Sequence, residues 1–396
     1  MDAADVEALR AETPGCALGI HLNHAGASLP SRTTLAAITD HLQREALYGP
    51  MEVGAGSLEQ IEAGRRAAAR LLGANADEIA FTSSGSAAFG LVFAALAPLA
   101  VGDRVLVGRH EWGGNVATLR QAADRVGATV EVIPCLDDGA VDAEALAAMV
   151  DERVRLVSLT WLPANGGLIN DAAAIGAVTK RAGIPFFIDA GQALGQMPVE
   201  IAQLGCDMLK GAGRKHLRGP RGTAVLYVRR GFRPSLTPAF LDVLSGPWEE
   251  GRAVMRNDAR AFETSEVSVA LLLGLATALD EADKLGMAQV RARIRGLSEP
   301  LRNALSGIAG VTVTDLGSSE WSGLVSFTVD GREAPDVRAE LATRRIAVGA
   351  NGPAYTPFDM QARGLTGVVR ASVSHLNTEA ELDQLVDAVQ RLTKGN

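Results

Sequence analysis

Four short apolar runs, "DRVLVG" (103–108), "TVEVIPC" (129–135), "VRLVSLT" (154–160) and "IPFFID" (184–189), alternate with three stretches of helical apolar spacing, 115–128, 142–152 and 171–183. No other feature restricts the fold as much. Strands rich in Val, Ile and Leu, joined by helices, make a largely parallel sheet covered on both faces. Such a sheet places its ligand site just beyond the carboxyl ends of its strands. The alternation breaks over 229–262, which reads as a loop-rich connector. A second texture follows: helices over 268–286 and 288–308, then the strand candidates "VTVTDL" and "GLVSFTV". In the last helix Thr378 and Glu381 have capping-box spacing, and Leu382, Leu385, Val386, Val389 and Leu392 share one face. The division expected is an N-terminal arm over 1–25, a large domain over 26–255, and a smaller α+β domain over 256–396 that takes in part of the N-terminal segment.

Composition narrows the partners. A chain of 396 residues, 47% hydrophobic and 21% charged, can bury a substantial core. Its net charge of −8 argues against nucleic acid and anionic membrane surfaces, which demand a basic face. No apolar run approaches the roughly 18–20 residues of a membrane span, and "MDAADVEALRAE" lacks a signal-peptide layout, so a cytoplasmic protein is expected. Cys16, Cys135 and Cys206 have no paired spacing, so neither a disulfide framework nor a metal site is expected.

Against that acidic background the loop "GAGRKHLRGPRG" (211–222) stands out, with four basic side chains among its glycines. Asp189 ends a buried strand, where an ionised carboxylate needs a cation. Gln192 follows three residues on and Lys215 lies on the loop after the next element, so an acid, a neutral amide and a lysine can converge on one crevice. Upstream, "FTSSGSAAFG" (81–90) is a Ser/Gly turn opening a helical pattern, where free amides and hydroxyls can form a phosphate cup or merely cap the helix. A dinucleotide fingerprint fails, because Gly211 and Gly213 are followed by His216 where a third glycine is required.

In order and spacing, "HLNHAGASLP" (21–30), "FTSSGS", "HEWGGN" (110–115), "LPANGGLIN" (162–170), "DAGQALG" (189–195), "GRKHLRGPRGTAVLYV" (213–228), "DARAFETSE" (258–266) and "VRASVSHLNTEAELD" (369–383) resemble the class V aminotransferase and cysteine desulfurase branch of fold type I pyridoxal-phosphate (PLP) enzymes. The resemblance implies that Lys215 forms the Schiff base with PLP and then serves as the base at the substrate Cα, with Asp189 on the pyridine nitrogen. Gln192 would bond the phenolic oxygen, and Trp112 would stack on the ring. Gly85, Ser86 and Arg214 match the phosphate positions, while Asn165 is placed at the cofactor or substrate. Arg370, with Asn23 and His24, would take the substrate, the arginine fork gripping its carboxylate. The resemblance also implies a homodimer. Arg218 and Arg221 are left to surface or interface duty.

Departures from the desulfurase pattern point to a function. The stretch 344–370, where desulfurases hold a persulfide-forming cysteine, has none. Trp112 stands where they have a histidine, and Glu266 where they have a threonine reaching the partner's phosphate. The similarity is closest to isopenicillin N epimerase-like and cysteine-conjugate C–S lyase members. A lyase that cleaves a cysteine S-conjugate by β-elimination, in secondary metabolism such as antibiotic biosynthesis, is the function expected. Decarboxylation with oxidative deamination, epimerisation and transamination are the alternatives.

Overall fold

The computed structural model describes residues 1–394. Its larger sheet has seven strands in the spatial order Ile79–Thr82, Ala224–Val228, Met208–Ala212, Phe186–Asp189, Val154–Thr160, Arg104–Gly108 and Thr129–Ile133. All are parallel except Ala224–Val228, which runs against both neighbours. Alternate residues leave opposite faces, and both faces are dry. Leu106, Val157, Ile188 and Leu209 enter one core, while Val105, Leu156, Phe187 and Met208 enter the other. The crossovers carry their own start and stop signals. The Asp171 side chain accepts from Ala174 N to begin the helix Ala172–Ala182, and Gly183 ends it at φ 68°.

A second sheet of five strands, ordered Ile20–Leu22, Ile346–Asn351, Val368–Ser372, Leu324–Val329 and Val311–Val313, builds a separate core under the C-terminal helix Glu379–Lys394. The capping box at that helix forms: Thr378 N donates to Glu381 Oε2, and Glu381 N to Thr378 Oγ1.

The change of core comes later in the chain than the change of texture at 256. Residues 259–262 and the helix Val269–Leu285 pack with the first sheet and its helices. Gly64 lets Leu58–Leu72 come so close to Val269–Leu285 that a methyl on it would sit 2.6 Å from the Ala276 Cα. The helix Met287–Ser306 then joins the two cores, giving Val290 and Ile294 to the first and Leu297, Leu301 and Leu305 to the second. Met208–Ala212 is a full strand that takes in the first two residues of the basic stretch 211–222, and it matters for the site.

Candidate active site

Three strands end at one cavity, and each delivers a functional side chain. Asp189 is the last residue of Phe186–Asp189, Thr160 the last of Val154–Thr160, and Lys210 lies in Met208–Ala212 in register with Asp189. Opposite them are the first turn of the helix Gly85–Ala95 and Trp112, which caps the helix Gly113–Val126. Lys215 reaches the cavity from a tight loop, in which Arg218 N bonds Lys215 O and Gly219 N bonds Gly213 O.

The electrostatics centre on Asp189, which is 6% exposed. Burial pushes its carboxyl up, but the charges of Lys210 and Lys215 and the Gly191 amide outweigh this and hold it below the usual range. Gly191 N donates to Oδ1 at 2.9 Å; Lys210 Nζ at 2.9 Å and Asn115 Nδ2 at 3.1 Å meet Oδ2. Lys215 is half-buried on the cavity wall, and its amine has no hydrogen-bond partner among the described residues. That burial, reinforced by the Arg214 and Lys210 charges and opposed by Asp189, lowers its pKa to about 7. The amine lies 5.7 Å from the centre of a Trp112 ring.

Gln192 is buried on the cavity wall, with Nε2 donating to Ala25 O and Oε1 left without a partner. Gly85 and Ser86 open their helix, where first-turn amides have no acceptor within the helix. Arg214 lines the cavity while its guanidinium donates to Gly26 O. Arg370 lies deeper, 4% exposed, donating to Ala164 O at 2.7 Å and Asn23 Oδ1 at 3.3 Å, with Nε unpartnered. Burial lowers its pKa to about 10, so it stays charged at neutral pH, and no carboxylate pairs with it among the described residues.

Some expected residues are elsewhere. Asn165 is engaged by the segment over the site, with Nδ2 donating to Thr356 Oγ1 and Oδ1 accepting from Asn351. His24 is buried behind the loop, its Nδ1 2.6 Å from Ser28 Oγ. Glu266 is exposed beside a neighbouring cavity with Gly222 and Thr223. Arg218 is not a surface residue: at 5% exposure it donates to Leu29 O and Thr13 Oγ1, tying the N-terminal segment to the loop. Arg221 is exposed.

Other residues at the site were not anticipated. Glu111, fully buried, accepts from Asn115 Nδ2 at 2.6 Å and Thr160 N at 3.0 Å; burial, then the Asp189 charge, raises its pKa to about 7. Tyr355 packs edge-on to Trp112 at 5.4 Å, with its phenol near the Arg214 and Arg370 charges. Lys210 did leave a signal, a lysine inside the otherwise buried strand "MLKGA".

The mainly parallel sheet, covered on both faces, with Asp189 at a strand end and Lys215 on the adjoining loop, has the fold of the type I PLP-dependent enzymes. The chain belongs to the aminotransferase class-V family, whose model matches residues 20–385, and it is a PLP-dependent enzyme. It is similar to a cysteine desulfurase of Pectobacterium atrosepticum, 28% identical over 81% of this chain and 78% of that one. Its fold matches the apo cysteine desulfurase of Thermococcus onnurineus NA1 with a TM-score of 0.89, at 23% identity and 98% coverage of both chains. It also matches the cystine C–S lyase C-DES in complex with its product cysteine persulfide, with a TM-score of 0.86 at 24% identity, over 96% of this chain and 99% of that one.

The residues present fit the cofactor. A methyl on Gly191 would lie 3.4 Å from Lys215 Nζ, so this glycine keeps open the space in front of the amine. Gln192, whose Oε1 is without a partner, and Gly85 and Ser86, whose first-turn amides have no acceptor within the helix, line the same cavity.

Proposed function

We propose that the protein is a C–S lyase acting on an S-substituted cysteine, with a thiol, pyruvate and ammonia as products. The observation that carries this reading is the gathering of Lys215, Asp189, Gln192 and Trp112 at one cavity that none of the three cysteines lines. Burial raises the pKa of every one of those thiols, so none is an activated nucleophile. Sulfur transfer through a protein persulfide then has no carrier on this chain, while cleavage of a C–S bond needs none. A cystine C–S lyase among the similar folds is consistent with this choice.

Lys215 would hold the cofactor through its aldehyde, Asp189 through the ring nitrogen, and Gly85, Ser86 and Arg214 through the phosphate. When bound, PLP supplies an electron sink for the pair left at the substrate Cα after deprotonation. Lys215, with a pKa lowered to about 7, is matched to removing that proton at neutral pH. Arg370 keeps its charge and would take the substrate carboxylate through its guanidinium, which fixes the Cα–H bond relative to Lys215. Trp112 would stack on the cofactor ring, and Tyr355, edge-on to it, presents aromatic surface to the sulfur substituent. The Cα–H and Cβ–S bonds break, sulfur leaves as the thiol, and one water releases pyruvate and ammonia; no oxidant is consumed.

As in the resemblance, a homodimer is part of this reading. Leu47, Tyr48 and Met51, exposed by 73%, 67% and 82%, give one face the apolar character of an interface. Sedimentation as a single 41.3 kDa chain would contradict it. The activity is tested by incubating the PLP-loaded protein with a panel of S-alkyl and S-aryl cysteines. Pyruvate and thiol in equal amounts, without carbon dioxide release or oxygen uptake, are expected. Carbon dioxide release, or an amino acid recovered with inverted Cα, would replace the lyase reading with one of the alternatives.

A further inference from the structure

Lys210 occupies a place in the site that its neighbours do not explain. It is 4% exposed in the strand beside Asp189, and its amine is 2.9 Å from Asp189 Oδ2 and 3.3 Å from Asn115 Oδ1. It also runs beneath the first turn of the phosphate-side helix, 3.5 Å from where a Gly85 methyl would lie. Asp189 is the carboxylate that would pair with the cofactor's ring nitrogen, yet three donors already occupy it: the Gly191 amide, Asn115 and Lys210. A carboxylate has about four lone-pair positions, so little of its accepting capacity is left. A fixed cation on the same carboxylate also opposes a second positive charge on the ring nitrogen.

We propose that Lys210 is a positioning residue that acts through Asp189, neutralising part of its charge so that the ring nitrogen of bound PLP holds its proton less tightly than an unshared aspartate would make it. The inference rests on the lyase reading and deepens it. A weaker electron sink shortens the life of the electron pair at Cα. A pair that cannot be stored is passed on to the leaving sulfur at Cβ, rather than waiting for reprotonation elsewhere, as transamination and epimerisation require. The surrounding charges agree: Glu111, the other buried acid, reaches Asp189 only through Asn115, so Lys210 is the nearest full charge to it.

The test uses the resting protein loaded with PLP labelled with nitrogen-15 in the ring, and therefore needs no substrate. Nitrogen-15 NMR reports the protonated fraction of the ring nitrogen, and phosphorus-31 NMR the phosphate. Lys210→Met is expected to shift the ring-nitrogen equilibrium about tenfold or more toward the protonated form, and Lys210→Arg to return it toward wild type. Lys210→Gln keeps a donor without the charge and gives the same reading if the methionine variant does not fold. With a cysteine S-conjugate, the uncharged variants are also expected to lose activity more often per turnover by transaminating their cofactor. An unchanged nitrogen signal in the uncharged variants overturns the proposal. So does a change confined to the phosphorus signal, which would make Lys210 a phosphate ligand. Because the nitrogen measurement is made without substrate, a failure of the lyase reading leaves its outcome intact.

Discussion

An amine on the wall of a desolvated cavity, with Arg214 and Lys210 as cationic neighbours, gives up its proton near neutrality, and Lys215 is in that position. Only the neutral amine attacks an aldehyde. Capture of PLP by the apoprotein should therefore be nearly independent of pH above about 7 and slow by about tenfold per unit below it, followed by the rise of near-visible absorbance. An ordinary exposed lysine would instead keep accelerating up to its pKa near 10.4. At this scale the sequence was informative where residues that line the cavity sit in a short motif. Asp189, Gln192 and Lys215 all lie within one run of strand, turn and loop, and their residue types name their chemistry. The roles of Lys210 and Glu111 become legible only when the strands are side by side, because Asp189, the partner of Lys210, and Thr160, a partner of Glu111, come from other segments. Asn165 is the converse case: its amide chemistry suits a ligand, and in this structure tertiary packing engages it with Thr356 and Asn351.

Among the elements, the segment 352–362 has the greatest leverage on the site. Tyr355 O accepts from Gly113 N, and the Tyr355 ring meets Trp112. The following helix, Pro357–Ala362, is pinned by Asp359, whose carboxylate lies 3.3 Å from both Arg109 and His110 and 3.2 Å from Arg363. Asp359 is 3% exposed; burial pushes its carboxyl up, but His110 and Arg363 hold it below the usual range. Its contribution to stability is then complete at neutral pH and is lost as pH falls through that depressed value. Asp359→Ala leaves Arg109 and Arg363 without their anion. It should cost about 3 kcal/mol in urea denaturation at neutral pH and raise KM for an S-conjugate several-fold more than it lowers kcat. Unchanged stability and KM would mean that the segment is held by its backbone alone. The alternating strands and helices over 103–189 were read from sequence to within a few residues, because both faces of that sheet are apolar. The strands Ile346–Asn351 and Val368–Ser372 were hidden inside a stretch that sequence presents as loop and motif, since their pairing comes from distant segments.

At the scale of the whole molecule, the site is made by two cores meeting. Asp189, Lys210 and Lys215 come from the seven-stranded sheet and its loop, while Arg370 comes from the five-stranded sheet and reaches across to Ala164 O. The N-terminal segment closes the join, with Asn23 on Arg370, Gly26 on Arg214 and Ala25 on Gln192. This architecture puts two lysines, Lys210 and Lys215, at one cavity, and the proposed function gives the cofactor to Lys215 alone. Borohydride reduction of the PLP-loaded protein, followed by proteolysis and mass spectrometry, reads that assignment directly. The account predicts a pyridoxyl group on Lys215 alone, and none in Lys215→Ala; a label on Lys210, or none in the wild type, would contradict it.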